Sequence, residues 1–112
     1  METIAFGSTN DVRAQIRAKD GSLFTLTDVT VTTSNAESGA VVEDDADGYA
    51  ETGEVAAATH NVYYHGEFTA ANGYAPGVAY LAEFRGTAQL GATSYAGAYA
   101  KASFCLAAVA DG

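Results

Sequence analysis

Asp11–Thr33 reads DVRAQIRAKDGSLFTLTDVTVTT, and the fold of the chain turns on how this stretch pairs. Val12, Ala14, Ile16 and Ala18 alternate with Arg13, Gln15, Arg17 and Lys19. A period of two sends successive side chains to opposite faces, the pattern of a half-buried strand. Asp20-Gly21 then supplies a two-residue turn, and apolar residues resume beyond it. The expected element is a long β-hairpin, Val12–Thr33, in which Arg13 faces Asp28, Arg17 faces Phe24, Ile16 faces Thr25 and Val12 faces Val29. The opposite-charge pair favours that register by about 0.2–1 kcal/mol.

This register gives the hairpin two unlike faces. One carries Val12, Ala14, Ile16, Ala18, Leu23, Val29 and Val31; the other carries Arg13, Gln15, Arg17, Phe24, Leu26 and Asp28. The second face mixes cations with two large apolar side chains. Arginine stems can cover apolar neighbours from water. Alternatively the face docks on another subunit, because Arg and aromatic residues are enriched at such contacts. Arg13, Arg17, Phe24 and Leu26 are therefore the candidate subunit-contact residues, joined by Tyr63 from the tyrosine-rich middle of the chain.

After the polar bend SNAESG, a short apolar GAVV leads into Glu43–Glu54, EDDADGYAETGE. Set on a calcium-loop template, Glu43, Asp45, Asp47 and Glu54 fall at ligand positions and Gly48 at the sharp turn. Two features argue against that template. Glu43 is a methylene too long for the first position, and the flanks have strand rather than helix patterning. The expectation is a solvated acidic loop, with a weak calcium site at Glu43, Asp45, Asp47 and Glu54 as the alternative.

EVAAATHNVYYHGEFTA reads as a long strand, and ANGYAPG, with Pro76, as a turn. VAYLAEFRG fits a strand through Val78, Tyr80, Ala82 and Phe84, or a helix through Val78, Leu81, Ala82 and Arg85. TAQL, GAT and SYAGAYAKASFCLAAV give one or two more strands. The fold class expected is mainly β: residues 1–112 as a single antiparallel β-barrel or sandwich with at most one short helix.

The 112 residues carry 14 acidic and five basic side chains, a net charge of −9. Such a chain gains nothing from counterion release on nucleic acid, so sequence-specific DNA or RNA binding is not expected. Anionic membranes are disfavoured for the same reason. No apolar run reaches the roughly 18 residues of a membrane span, and METIAFGSTND lacks the pattern of a secretory leader. The one cysteine, Cys105, lies in the apolar run ASFCLAAV and reads as a buried structural thiol.

Reaction chemistry has few foundations here. His60 and His65 are five apart, which on a strand sends them to opposite faces, so shared metal ligation is not expected unless a bulge intervenes. Cys105 has apolar neighbours that leave its thiol unactivated. There is no G-x-S-x-G, P-loop or dinucleotide fingerprint. The chain is expected to be no enzyme and to need no cofactor.

IAFGSTNDV, the early hairpin, the Asp-Gly-bearing acidic stretch and the strand GEVAAATHNVYYHGEFTA together resemble small virion proteins of tailed bacteriophages. The resemblance covers Gly7 to Ala70 and is greatest to tail tube proteins. It implies a β-barrel or sandwich flanked by a short helix, forming rings that stack into a hollow conduit for DNA. Val12–Thr33 and Glu43–Glu54 would then make contacts within and between rings. The implied partners are further copies of the chain and other virion proteins, assembled in the host cytoplasm. Two alternatives share the β fold: a capsid decoration or head–tail joining protein, and a monomeric calcium- or carbohydrate-binding module.

Overall fold

A computed structural model of the chain describes residues 2–17, 24–50 and 59–108. Its strands are β1 (Glu2–Ala5), β2 (Thr9–Arg17), β3 (Thr25–Asn35), β4 (Val41–Asp47), β5 (Tyr49–Ala50), β6 (Thr59–Glu67), β7 (Ala79–Leu90) and β8 (Thr93–Ala107). A single 3-10 turn, Ala70–Asn72, is the one helical element among the described residues. The strands form a five-stranded sheet of order β1-β8-β7-β3-β4 and a three-stranded sheet of order β2-β6-β5. The chain is thus mainly β, as its patterning predicts, and is an open sandwich rather than a closed barrel. The ladders are antiparallel except β1 on β8, which is parallel.

Two of the passages between the sheets are tight corners. Phe6–Ser8 takes the chain from β1 to β2 at one margin, and Gly48 takes it from β4 to β5 at the other. Gly48 donates its N–H to the Val29 carbonyl at 3.0 Å. A Cβ there would lie 2.8 Å from a methyl of Val29 and of Val31, so only glycine fits the corner.

The core lies between the layers. β2 and β6 contribute Val12, Ile16, Val62 and Tyr64 from the smaller sheet. The larger sheet answers with Val29, Val31, Phe84, Phe104 and Leu106. Phe68, fully buried beyond the end of β6, sits 5.0 Å from Phe104 and 5.1 Å from Tyr74 by ring centroids. Each such aromatic or aliphatic side chain stabilises the fold by about 1.5–3 kcal/mol when fully buried.

The expected Val12–Thr33 hairpin does not form. β2 pairs with β6, placing Val12 opposite Tyr64, Arg13 opposite Tyr63 and Ile16 opposite His60. β3 pairs with β4 and β7 in the other sheet. Val12 and Ile16 therefore share a core with Val29 and Val31 of the other sheet instead of lying beside them in one ladder. Burial fixes which side of a strand points inward but leaves its ladder partner open. The Asp20-Gly21 turn lies outside the described residues.

A bulge explains why Phe24 and Leu26 are not on a cationic face. Between Thr27 and Thr30, β3 spends one residue more than β7, and Asp28 adopts φ 55°. The extra residue shifts the alternation, so Leu26 and Val29 both turn inward although they are three apart. Phe24 is buried with them.

The remaining expectations divide. The bend expected over Ser34–Gly39 turns just after β3: the Asn35 side chain accepts the N–H groups of Glu37 and Ser38, and Gly39 has φ 77°. Val78–Arg85 resolves to strand from Ala79 onward, with Tyr80, Ala82 and Phe84 buried in period two. The acidic stretch is not a loop over its first part, because Glu43–Asp47 belongs to edge strand β4. Residues 51–58, with Glu54, lie outside the described residues.

Candidate functional site

The outer face of the smaller sheet gathers the most distinctive side chains. Alternation along β2 sends Asp11, Arg13, Gln15 and Arg17 outward, and the register sets them against His65, Tyr63, Asn61 and Thr59 of β6. The Arg13 guanidinium lies 5.5 Å from the Tyr63 ring centroid. Tyr49 of β5 stacks on Tyr63 at 5.4 Å and 28°. Because β2 and β5 flank β6, the Tyr63 ring is held between the arginine and the second tyrosine. Cation–π contacts of this kind contribute about 0.5–1 kcal/mol at exposed sites.

Polar contacts continue the row. Asp11 accepts from Arg13 at 3.3 Å and from His65 Nδ1 at 2.6 Å, while the Gln15 amide donates to Asn61 at 3.0 Å. Tyr49 remains 47% exposed, so the row ends in accessible aromatic surface. Of the five residues expected to make subunit contacts, three come together on this face: Arg13, Arg17 and Tyr63. Phe24 and Leu26 do not join them, since both turn toward the core. Tyr49 is the member that sequence reasoning missed. Its signal is the cross-strand pair with Tyr63, and that pair becomes visible only once β5 is placed on β6.

A second cluster ties the sheets together at the acidic margin. Glu43 turns inward from β4, and its Oε2 accepts from both Tyr64 Oη and Tyr74 Oη at 2.5 Å. Because the Tyr74 proton goes to Glu43, Thr33 Oγ1 must donate to Tyr74 Oη over their 2.7 Å contact. Thr33 Oγ1 in turn accepts the Glu43 N–H at 3.2 Å. This closed ring holds the edge strand β4 to β3, to β6 and to the segment after the 3-10 turn. Burial raises both tyrosine hydroxyls well above the ordinary phenol range, and the Glu43 hydrogen bond raises them further.

Of the carboxylates set against the calcium template, the three among the described residues are not gathered. Glu43 faces inward to the tyrosines, whereas Asp45 and Asp47 are exposed on β4 and Asp45 adopts φ 50°. Asp44 is committed to the Thr32 hydroxyl at 3.1 Å. Among the described residues, no three His, Cys, Asp or Glu side chains come together to hold a metal ion.

The histidines separate as their spacing predicts. His60 is 6% exposed, bonds the Phe24 carbonyl through Nε2 at 2.6 Å and stacks edge-on against the Phe24 ring. His65 stands on the outer face. Cys105 is half-buried rather than fully enclosed, 3.5 Å from the Thr3 hydroxyl across the parallel ladder.

The far end of the larger sheet bears an open groove of about 860 Å³. A bulge in β8 between Tyr95 and Ala98 places Tyr95 opposite Ala88, so its ring lines the groove with Ile16, Phe24 and Leu90. Beyond the bulge, Tyr99 stands opposite Arg85 on the outer side and donates to Glu83 at 2.7 Å. That hydrogen bond is the main reason the Tyr99 hydroxyl is raised above its ordinary range.

No helix among the described residues is long and apolar enough to cross a membrane. Compared with protein-family models, with curated proteins and with solved structures, the chain gives no match in any of the three.

Proposed function

We propose that the protein is a non-enzymatic, self-assembling structural subunit of a virion, of the kind that forms the rings of a phage tail tube. The observation that carries this reading is the Arg13–Tyr63–Tyr49 stack on the outer face of the smaller sheet. Arginine and tyrosine dominate the energetics of protein contacts because each combines a large, stiff surface with a polar end. Here they are pre-ordered by one another, which lowers the entropy lost when a partner covers them.

The same geometry bears on the carbohydrate reading. A sugar platform needs a free aromatic face: the Tyr63 ring is engaged by Arg13 and by Tyr49, which leaves the exposed side of Tyr49 as the face that reading would use. A second copy instead needs the surface of the stack as it stands.

Open strand edges favour assembly as well. β2 has β6 as its ladder partner and β4 has β3, which leaves one side of each unpaired among the described residues. Subunits arranged in a ring can cover such edges. A ring of chains with net charge −9 would present DNA with a repelling rather than an adhesive surface.

Negative-stain electron microscopy of the concentrated protein tests the reading. Rings or hollow tubes are expected. Discrete particles that never ring or stack would favour a decoration or joining role, and monomers throughout would overturn self-assembly.

A further inference from the structure

We infer that copies of the chain associate head to tail, with the arginine-bearing margin at β2 meeting the acidic margin at β4 of the next copy. The inference rests on the self-assembly reading and specifies its contact surface. Strand order supplies the geometry. β2 begins the smaller sheet's order and follows β1, the edge of the larger one; β4 ends the larger sheet's order and leads through Gly48 into β5, the edge of the smaller. The two strands thus mark opposite lateral margins of the sandwich.

Their charges are opposite too. β2 presents Arg13 and Arg17, two of the five basic residues in the chain. Asp11 is the acid on β2 and is paired with Arg13 and His65, so the strand keeps a net positive charge through two arginines against one carboxylate. β4 exposes Asp44, Asp45 and Asp47. Two copies of net charge −9 repel in most orientations, and β2 against β4 is an approach that brings unlike charges together. β2 against β2, or β4 against β4, sets like charges face to face. A contact between unlike surfaces repeats from copy to copy and closes into a ring or continues as a filament.

The contact is one of side chains rather than a shared ladder. The β3–β4 pairing slips twice, between Val31 and Thr33 and between Thr33 and Ser34, and Asp45 is left-handed. A bulged, acidic edge is a poor template for adding a strand. Carboxylates on β4 and guanidinium groups on β2 can still meet across it.

Charge reversal tests this directly. One variant carries Arg13→Glu and Arg17→Glu; the other carries Asp44→Lys and Asp47→Lys, sparing Asp45 because its φ favours aspartate. Light scattering after size exclusion should show each variant monomeric at concentrations where the wild type assembles. An equimolar mixture of the two should assemble again, as should one chain carrying all four changes. A symmetric contact at either margin would also bring unlike charges together in the mixture, but it predicts that the chain carrying all four changes stays monomeric. Circular dichroism confirms that each variant is folded. Should one fail to fold, the wild type still reports through salt. Screening shortens from roughly 10 Å at 0.1 M to 3 Å at 1 M, and assembly should weaken across that range. Wild-type assembly that ignores both salt and the reversals overturns this interface alone. A wild type that never assembles overturns the self-assembly reading itself.

Discussion

Arg13 stands opposite Tyr63 in the β2–β6 ladder, with its guanidinium 5.5 Å from the ring centroid, and Asp28 lies in the other sheet. The relationship decides between two topologies that share the inward side of β2 at Val12 and Ile16. Gln15 and Asn61 are likewise paired, and residues directly opposite on antiparallel strands lie within the Cα separation that a disulfide spans. In a Cys105→Ser background, Gln15→Cys with Asn61→Cys should oxidise readily, whereas Arg13→Cys with Asp28→Cys should keep both thiols. Thiol titration after mild oxidation reads the result. The reverse outcome would restore the hairpin.

Glu43 should be the most costly single carboxylate to lose. Hydrogen bonds to a charged group contribute about 1.5–3 kcal/mol, and Glu43 accepts two of them from Tyr64 and Tyr74. Glu43→Gln is expected to lower the melting temperature by several degrees, because about 1 kcal/mol corresponds to roughly 4–8 °C in a small domain. Asp45→Asn, on the same strand but exposed, should change it little. Thermal melts of both variants at pH 7 make the comparison, and equal effects would contradict the assignment.

Alkaline pH should unfold the protein through the same cluster. In the unfolded chain Tyr64 and Tyr74 ionise near pH 10, while in the folded chain both are held higher. The unfolded state therefore releases protons first. The contribution of these tyrosines is complete below about pH 10 and is lost progressively as pH rises toward the folded-state values. Denaturant melts should show stability falling above pH 10, and Tyr64→Phe with Tyr74→Phe should flatten that fall while lowering stability at pH 7. An unchanged alkaline limb in the double variant would contradict the network.

Two glycines should resist substitution for steric reasons. A Cβ on Gly66 would lie 2.5 Å from Tyr64 Cε2 and 2.8 Å from Phe68 Cζ, and one on Gly48 would meet Val29 and Val31. Overpacking of this kind costs about 1–3 kcal/mol. Gly66→Ala and Gly48→Ala should therefore each lower the denaturation midpoint. Gly97→Ala, whose Cβ meets nothing within 4 Å, should not.

The sequence is most legible where alternation alone decides the outcome. The inward side of β2 at Val12 and Ile16 and the opposed His60 and His65 follow from period two, whereas Tyr80, Ala82 and Phe84 of β7 fit that period in a stretch that fits a helix as well. It misleads where a pairing or a bulge decides. Asp20-Gly21 carries the local chemistry of a hairpin turn, yet the strands on either side belong to different sheets, because a core can be closed across layers as well as along a ladder. Phe24 and Leu26 seem to share a side with Arg13 and Arg17 only while Asp28 is counted as an ordinary strand residue. Its left-handed backbone shifts the phase. Glu43 was legible as an acid but not as an inward one, since its partners Tyr64 and Tyr74 lie 21 and 31 residues away.

The most direct test of self-assembly is sedimentation velocity on the wild-type protein over a broad concentration series at low salt. The account predicts that the monomer gives way to discrete larger species as concentration rises. A single monomeric boundary at every concentration would contradict it.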